Sequence, residues 1–309
     1  MSCSGTSATT RLYTTPIADG DLVYIATYSG EVHAVAIGSG EQVWVYPPKG
    51  EGFIGAVVGD PVIANGIVYT SSSDGKVYAL NATNGKIKWE TDRPLADKLW
   101  TSPAIQGDTL YVSTLDGHIY ALSVETGQLL DWSFEADAGF ASSPVIDENR
   151  IYVGSFDRYL YGVGIGSNSS IWRFPSEEAA GNWFWASPIV SEGIVYAGCL
   201  DGRLYAVEAK TGNKVREFDA ESPIVSSPVL TDGLLVVAAE SGNVYVFDLE
   251  GALEHEAVAS KAISIGANVR SSFCADDELV YILDEHNELY AVDIDKGEVS
   301  WKVSLTIEE

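Results

Sequence analysis

The stretch SSDGKVYALNATNGKIKW, residues 72 to 89, recurs along the whole chain. One step upstream lies TYSGEVHAVAIGSGEQVW, ending at Trp44. Downstream follow TLDGHIYALSVETGQLLDW to Trp132, SFDRYLYGVGIGSNSSIW to Trp172, CLDGRLYAVEAKTGNKVR to Arg216, AESGNVYVFDLEGALEH to His255 and DEHNELYAVDIDKGEVSW to Trp301. A period of this length marks an array of like units, each too small to bury its own apolar faces and therefore stacked on its neighbours. The array runs from residue 11 to residue 303 and leaves no room for a linker. One domain is expected, with a flexible tether at 1–10 and a short tail at 304–309.

Each unit carries four strand signals separated by Gly, Asp and Asn turns. The first follows Ser-Pro or its variant: TPI at 15, DPVI at 60, SPAI at 102, SPVI at 143, SPIV at 187, SPVL at 227 and SFCA at 272. It is nearly all apolar, as expected of a strand covered on both sides. The second and third alternate and are joined by Asp-Gly, which suits a two-residue hairpin turn. The fourth follows Thr-Gly, Asn-Gly or Lys-Gly and ends in the tryptophan. A four-stranded antiparallel meander of about 42 residues is a β-propeller blade. The expectation is an all-β, single propeller of seven blades, with eight as the alternative if an upstream portion is missing.

The third-strand aromatic recurs as Tyr78, Tyr120, Tyr161, Tyr205, Tyr245 and Tyr290, with His33 in the first unit. Fixed offsets assign these rings, and Trp44, Trp89, Trp132, Trp172 and Trp301, to packing between blades. Asp74, Asp116 and Asp201 read as turn formers.

The pattern D-G-x-x-Y-A-L followed by T-G-x-x-x-W, as in DGKVYALNATNGKIKW, resembles the pyrroloquinoline-quinone (PQQ) type repeat over residues 11 to 303. That family includes the quinoprotein alcohol dehydrogenases and a non-enzymatic branch similar to the outer-membrane assembly lipoprotein BamB. The resemblance implies a propeller and leaves function open, because propellers host unrelated activities. Family dehydrogenases hold their cofactor with a tryptophan floor, a disulfide of adjacent cysteines, a calcium ion on Glu, Asn and Asp, and a catalytic Asp. This sequence has no adjacent cysteines and no recognisable calcium ligand set. The non-catalytic binding or scaffold branch is therefore expected, with no cofactor. PQQ with calcium in an enzyme, or a sensor domain of a signalling protein, are the alternatives.

The 44 acidic residues stand against 18 Lys and Arg, a formal net charge of -26. Such a chain repels phosphate backbones and anionic lipid, so nucleic acid is not an expected partner. Acidity spread along the whole length resembles that of proteins from salt-loving organisms, where salt screens the self-repulsion. No run of 18 apolar residues occurs, so no transmembrane segment is expected. Cys199 and Cys274 lie in apolar runs and read as small core residues. Cys3, followed by SGTSATT, resembles the start of a mature lipoprotein, although the preceding apolar stretch is missing here. A cell-surface location is expected if an export signal has been removed, and a cytoplasmic one otherwise. A monomer is expected.

Packing demands sameness between copies, so the uneven connections between blades are where binding belongs. From tryptophan to proline, or their equivalents, the spacings are 17, 14, 12, 16, 12 and 18. Bulky residues precede the inner strands: Phe53, Trp100, Phe140, and Trp183, Phe184 and Trp185 in AAGNWFWASP. Three consecutive residues of an extended segment cannot all point one way. Trp183, Phe184, Trp185, Trp100 and Phe140, with Lys98 and Arg270, either form a site for an apolar or planar ligand or a peptide, or pack between the blades. His33, His118, His255 and His286 occupy unrelated offsets and do not converge on a metal. The sequons at Asn81 and Asn168 sit at turns.

Overall fold

A computed structural model describes residues 14–96, 98–166, 170–249, 261–269, 273–275, 279–286 and 288–304, without the side chains of 170 and 171. Cys3, Asn168, His255 and Arg270 lie outside these residues. The regular structure is all strand, in seven four-stranded antiparallel sheets. Each sheet is a meander of consecutive strands, spanning 17–46, 62–90, 104–135, 145–174, 189–219, 229–264 and 274–304. These are the blades of a seven-bladed β-propeller. By compactness the chain divides into a unit at residues 1–100, with blades 1 and 2, and a unit at 101–309, with blades 3 to 7.

Burial corrects the expected order within a blade. The second and third strands are the ones covered on both faces: Ile67–Ser71 and Leu160–Gly164 are buried throughout. The first strands, such as Ala104–Gln106 and Ile189–Ser191, are only half-buried. Middle strands lie inside the stack of sheets, so even their Ser and Thr residues are buried and need partners within the protein.

The Ser-Pro repeat adds hydrogen bonds from blade to blade. In the second unit the Ser102 N–H donates to Ser143 Oγ (2.9 Å), Ser143 N–H to Ser187 Oγ (2.9 Å) and Ser187 N–H to Ser227 Oγ (3.1 Å). A ladder of hydroxyls thus runs from blade to blade just ahead of each proline. In the first unit Asp60 takes the serine's place and accepts from the Thr15 N–H; burial pushes its carboxyl above the usual range. Where the residue before such a position carries a hydroxyl it can turn back on its own blade, as Thr101 Oγ1 donates to the Ser113 carbonyl (2.8 Å) and Ser226 Oγ to that of Ala238 (2.8 Å).

The D-G-x-x-Y run is a lock as well as a turn. Tyr78, Tyr161 and Tyr205 donate their hydroxyls to Asp74 (2.6 Å), Asp157 (2.6 Å) and Asp201 (2.8 Å). The same carboxylates accept the N–H two residues on, from Lys76, Tyr159 and Arg203, each at 3.0 Å. Burial, then the carboxylate, raises each tyrosine pKa.

The alanine or glycine after the third-strand tyrosine, or after His33 in the first blade, lies directly across from the tryptophan: Ala34 from Trp44, Ala79 from Trp89, Gly162 from Trp172, Ala291 from Trp301. A small residue there leaves room for the indole; a Cβ at Gly162 would lie 2.3 Å from the Trp172 ring. Trp44 and Trp172 then reach the next blade, donating Nε1–H to the carbonyls of Ala82 (2.8 Å) and Ala209 (2.9 Å). The turn glycines Gly85 and Gly212 lie against these rings. Trp301, on the outer strand of blade 7, is 44% exposed. Cys199 is buried, but Cys274 is exposed on the first strand of blade 7, against expectation; that short strand is not enclosed as the middle strands are.

Candidate functional site

The connections between blades share one construction. Four residues before each proline or its equivalent stands a fully buried apolar residue: Val57 and Leu99 in the first unit, Phe140, Phe184, Ile224 and Val269 in the second. The N–H of this residue generally donates to the hairpin turn of the blade it leaves, as Phe140 does to the Thr114 carbonyl (2.9 Å) and Ile224 to that of Cys199 (3.2 Å). The carbonyl just before it accepts from the turn of the blade it enters: Gly139 from Phe156 N–H (2.9 Å), Trp183 from Leu200 N–H (2.9 Å). Pinned on both sides, the loop holds one side chain inward. Its two neighbours in sequence must face outward.

That register sorts the expected site residues. Phe184 and Phe140 are the inward plugs, so they take the packing alternative. Phe184 meets Tyr205 with ring centroids 5.7 Å apart, and Phe140 stands edge-on to Tyr161 at 6.4 Å. Gly154 permits the first of these, because a Cβ there would lie 2.4 Å from that of Phe184. Trp183 and Trp185 are the outward neighbours and are 43% and 37% exposed. In the first unit Lys98 and Trp100 flank buried Leu99 in the same way, with Lys98 Nζ 6.0 Å from the Trp100 ring centre. Arg270 follows Val269, outside the described residues.

Two residues that sequence reasoning missed complete the site on blade 4. Phe156 lies between the two exposed indoles, 5.0 Å from Trp183 and 5.9 Å from Trp185. Arg158 follows two residues later, where the Asp-Gly turns carry glycine, and holds φ at +72° with its side chain exposed. The signal for both was present: SFDRYL is the copy in which the turn glycine becomes arginine and a large ring precedes the aspartate. Asn182 fixes the approach, its Oδ1 accepting the Trp183 N–H at 2.9 Å. The ledge Trp183–Phe156–Trp185 is therefore carried on backbone that is hydrogen-bonded to two sheets.

The reactive groups nearest the ledge are all engaged within the fold. The adjacent Cys199 thiol donates to the Asn182 carbonyl (3.3 Å), and burial pushes its pKa up to about 12, far from a nucleophile. Asp157 and Asp201 are engaged by tyrosine hydroxyls and backbone. Among the described residues no three His, Cys, Asp or Glu side chains come together as metal ligands. The adjacent-cysteine pair with which family dehydrogenases hold calcium-bound PQQ is absent from this sequence, where Cys199 and Cys274 lie far apart.

The family model described as outer membrane protein assembly factor BamB matches residues 4–131 and 73–303. The chain belongs to this BamB family. The BamB of Escherichia coli K12 is 26% identical over 299 residues, which cover 94% of this chain and 65% of that protein. The BamB of Legionella pneumophila is 25% identical over 138 residues, 45% of this chain. The match spans about a third of the Legionella protein's length, at 34%. A crystal structure of BamB from Moraxella catarrhalis superposes with a TM-score of 0.74 at 16% identity, covering 97% of this chain and 91% of that one. At that identity the likeness speaks for the fold.

Proposed function

We propose that this propeller is a non-catalytic protein-binding scaffold, and that the Trp183–Phe156–Trp185 ledge is its docking surface. The observation that carries this is the pair of exposed tryptophans flanking a phenylalanine on rigid backbone. Large, stiff aromatic side chains lose little conformational freedom on binding and dominate interface energetics. The names of the relatives, assembly factors for outer membrane proteins, favour a partner-binding role outside the cytoplasm. The net charge of -26 favours a salty milieu in which self-repulsion is screened.

Site-specific photo-cross-linking tests this. A photoreactive phenylalanine analogue at Trp185, in cells of the source organism, is expected to trap one defined protein. The same group at Ile87, exposed on an outer strand of blade 2, is expected to trap none. Identical patterns from both positions, or no adduct at Trp185, would sink the docking role.

A further inference from the structure

Tryptophan at this ledge offers more than apolar area. Trp44 and Trp172 use their indole N–H groups inside the chain. Those of Trp183 and Trp185 donate to no described residue and point the question of an acceptor outward. A partner suited to this surface must bring flat apolar groups for the ring faces and unpaired carbonyls for the two donors. A polyproline II segment has both, because it makes no internal hydrogen bonds and its backbone carbonyls stay free. Phe156 is 5.0 Å from one indole and 5.9 Å from the other, a spread of rings comparable with one three-residue turn of such a helix, about 9 Å.

Building on the docking role above, we infer that the ledge recognises a proline-rich, cationic segment of a partner protein, held in the polyproline II conformation. Charge favours the cationic form. Glu177 and Glu178 are exposed on the same loop as the tryptophans, and the chain as a whole is strongly acidic. Arg158 is the exposed cation nearest in sequence to Phe156, against two exposed carboxylates on the tryptophan loop. None of the ion pairs among the described residues neutralises Glu177 or Glu178. Strand addition is a poorer match, since the ledge lies on a connection whose backbone is already hydrogen-bonded on both sides rather than on a sheet edge. A lipid surface is disfavoured by the same carboxylates.

The test is a titration of the full chain with an acetylated, amidated decaproline peptide carrying two arginines at one end. Binding is read from tryptophan fluorescence and by calorimetry, at low and high salt. The expected result is saturable binding that weakens as salt rises. Trp185→Phe, which keeps a ring but loses the N–H, should weaken it about fivefold, the equivalent of one hydrogen bond. The pair Trp183→Ala and Trp185→Ala should abolish it without change in the circular dichroism. No saturable signal in folded protein, or binding that survives the double alanine change, overturns the inference. Cross-linking from Trp185 without peptide binding would remove the proline-rich partner alone and leave protein docking in place; failure of both would remove both.

Discussion

Trp172 and Trp185 are separated by one connection and meet opposite fates. Trp172 is buried, its N–H on the Ala209 carbonyl and its ring over Gly212. Trp185 is more than a third exposed, with its indole N–H donating to no described residue. Residue type does not separate them. What does is register, because Trp172 sits opposite a small residue on the neighbouring strand, whereas Trp185 follows a plug that has already taken the inward direction. The first tryptophan is held inside the fold and the second stays exposed, the basis of the docking role proposed for it, and each consequence can be broken separately.

The largest effect is expected at the plug between the two exposed indoles. Phe184→Ala removes a fully buried ring and should cost about 3–5 kcal/mol in urea unfolding, as large-to-small aromatic changes in cores do. Trp185→Ala, one residue away, should stay within about 0.5 kcal/mol of the parent. Comparable losses from the two would show that Trp185 is a packing residue after all.

The glycine beneath Trp172 gives a second separation. Gly212 and Gly193 both hold φ at +75°, yet a Cβ at Gly212 would lie 2.6 Å from the Trp172 ring, while one at Gly193 meets nothing within 4 Å. Gly193→Ala should lose about 1 kcal/mol for the left-handed backbone alone. Gly212→Ala should lose about 1–3 kcal/mol more as the ring is displaced. Equal losses would mean that the tryptophan yields freely and the repeat's glycine is there for the turn only.

Much of this was legible in the sequence. The period marked seven four-stranded blades, and the tryptophan offset marked rings such as Trp44 and Trp172 that do pack between blades, whereas Trp301 at the same offset is 44% exposed. The site was legible only in part. NWFWASP announced three aromatics, but which of them faces inward depends on counting back four residues from the proline, a rule visible only once Leu99, Phe140 and Ile224 are seen buried. Phe156 comes from a different stretch of chain and joins the ledge through tertiary contact. The hydroxyl ladder ahead of the prolines was not legible, because a hydrogen bond from one blade to the next leaves no trace in hydropathy. Cys274 misled because an apolar run on a first strand does not mean enclosure.

Alkali should discriminate between the interior and the ledge. Tyr290 in blade 7 has its pKa raised to about 12, first by burial and then by its bond to Glu288. The folded state holds that proton more tightly than the unfolded chain, whose tyrosines titrate near 10. Stability from this group is whole below pH 10 and falls as pH rises from 10 to 12. Tyr78, Tyr161 and Tyr205 add to the loss in the same direction. Unfolding followed from pH 9 to 12 should show a steepening loss that Tyr290→Phe makes shallower. A profile unchanged by that substitution would show that the hydroxyl keeps its proton equally well in both states.

The smallest effect concerns the arginine beside the ledge. Arg158 holds a left-handed conformation in the turn position that is glycine in SDGK, LDGH and LDGR. A residue with a Cβ pays roughly 1–2 kcal/mol there, whereas glycine loses about 0.5–1 kcal/mol in the greater freedom of its unfolded chain. Arg158→Gly should therefore stabilise the protein by about 0.5–1 kcal/mol in urea unfolding. A gain of that size would mean that an exposed cation is kept on the rim of the aromatic ledge at the expense of stability, which is how a binding residue behaves and a packing residue does not. If stability instead fell, the arginine side chain would be holding the turn together, and Arg158 would belong with Trp172 on the structural side of the comparison.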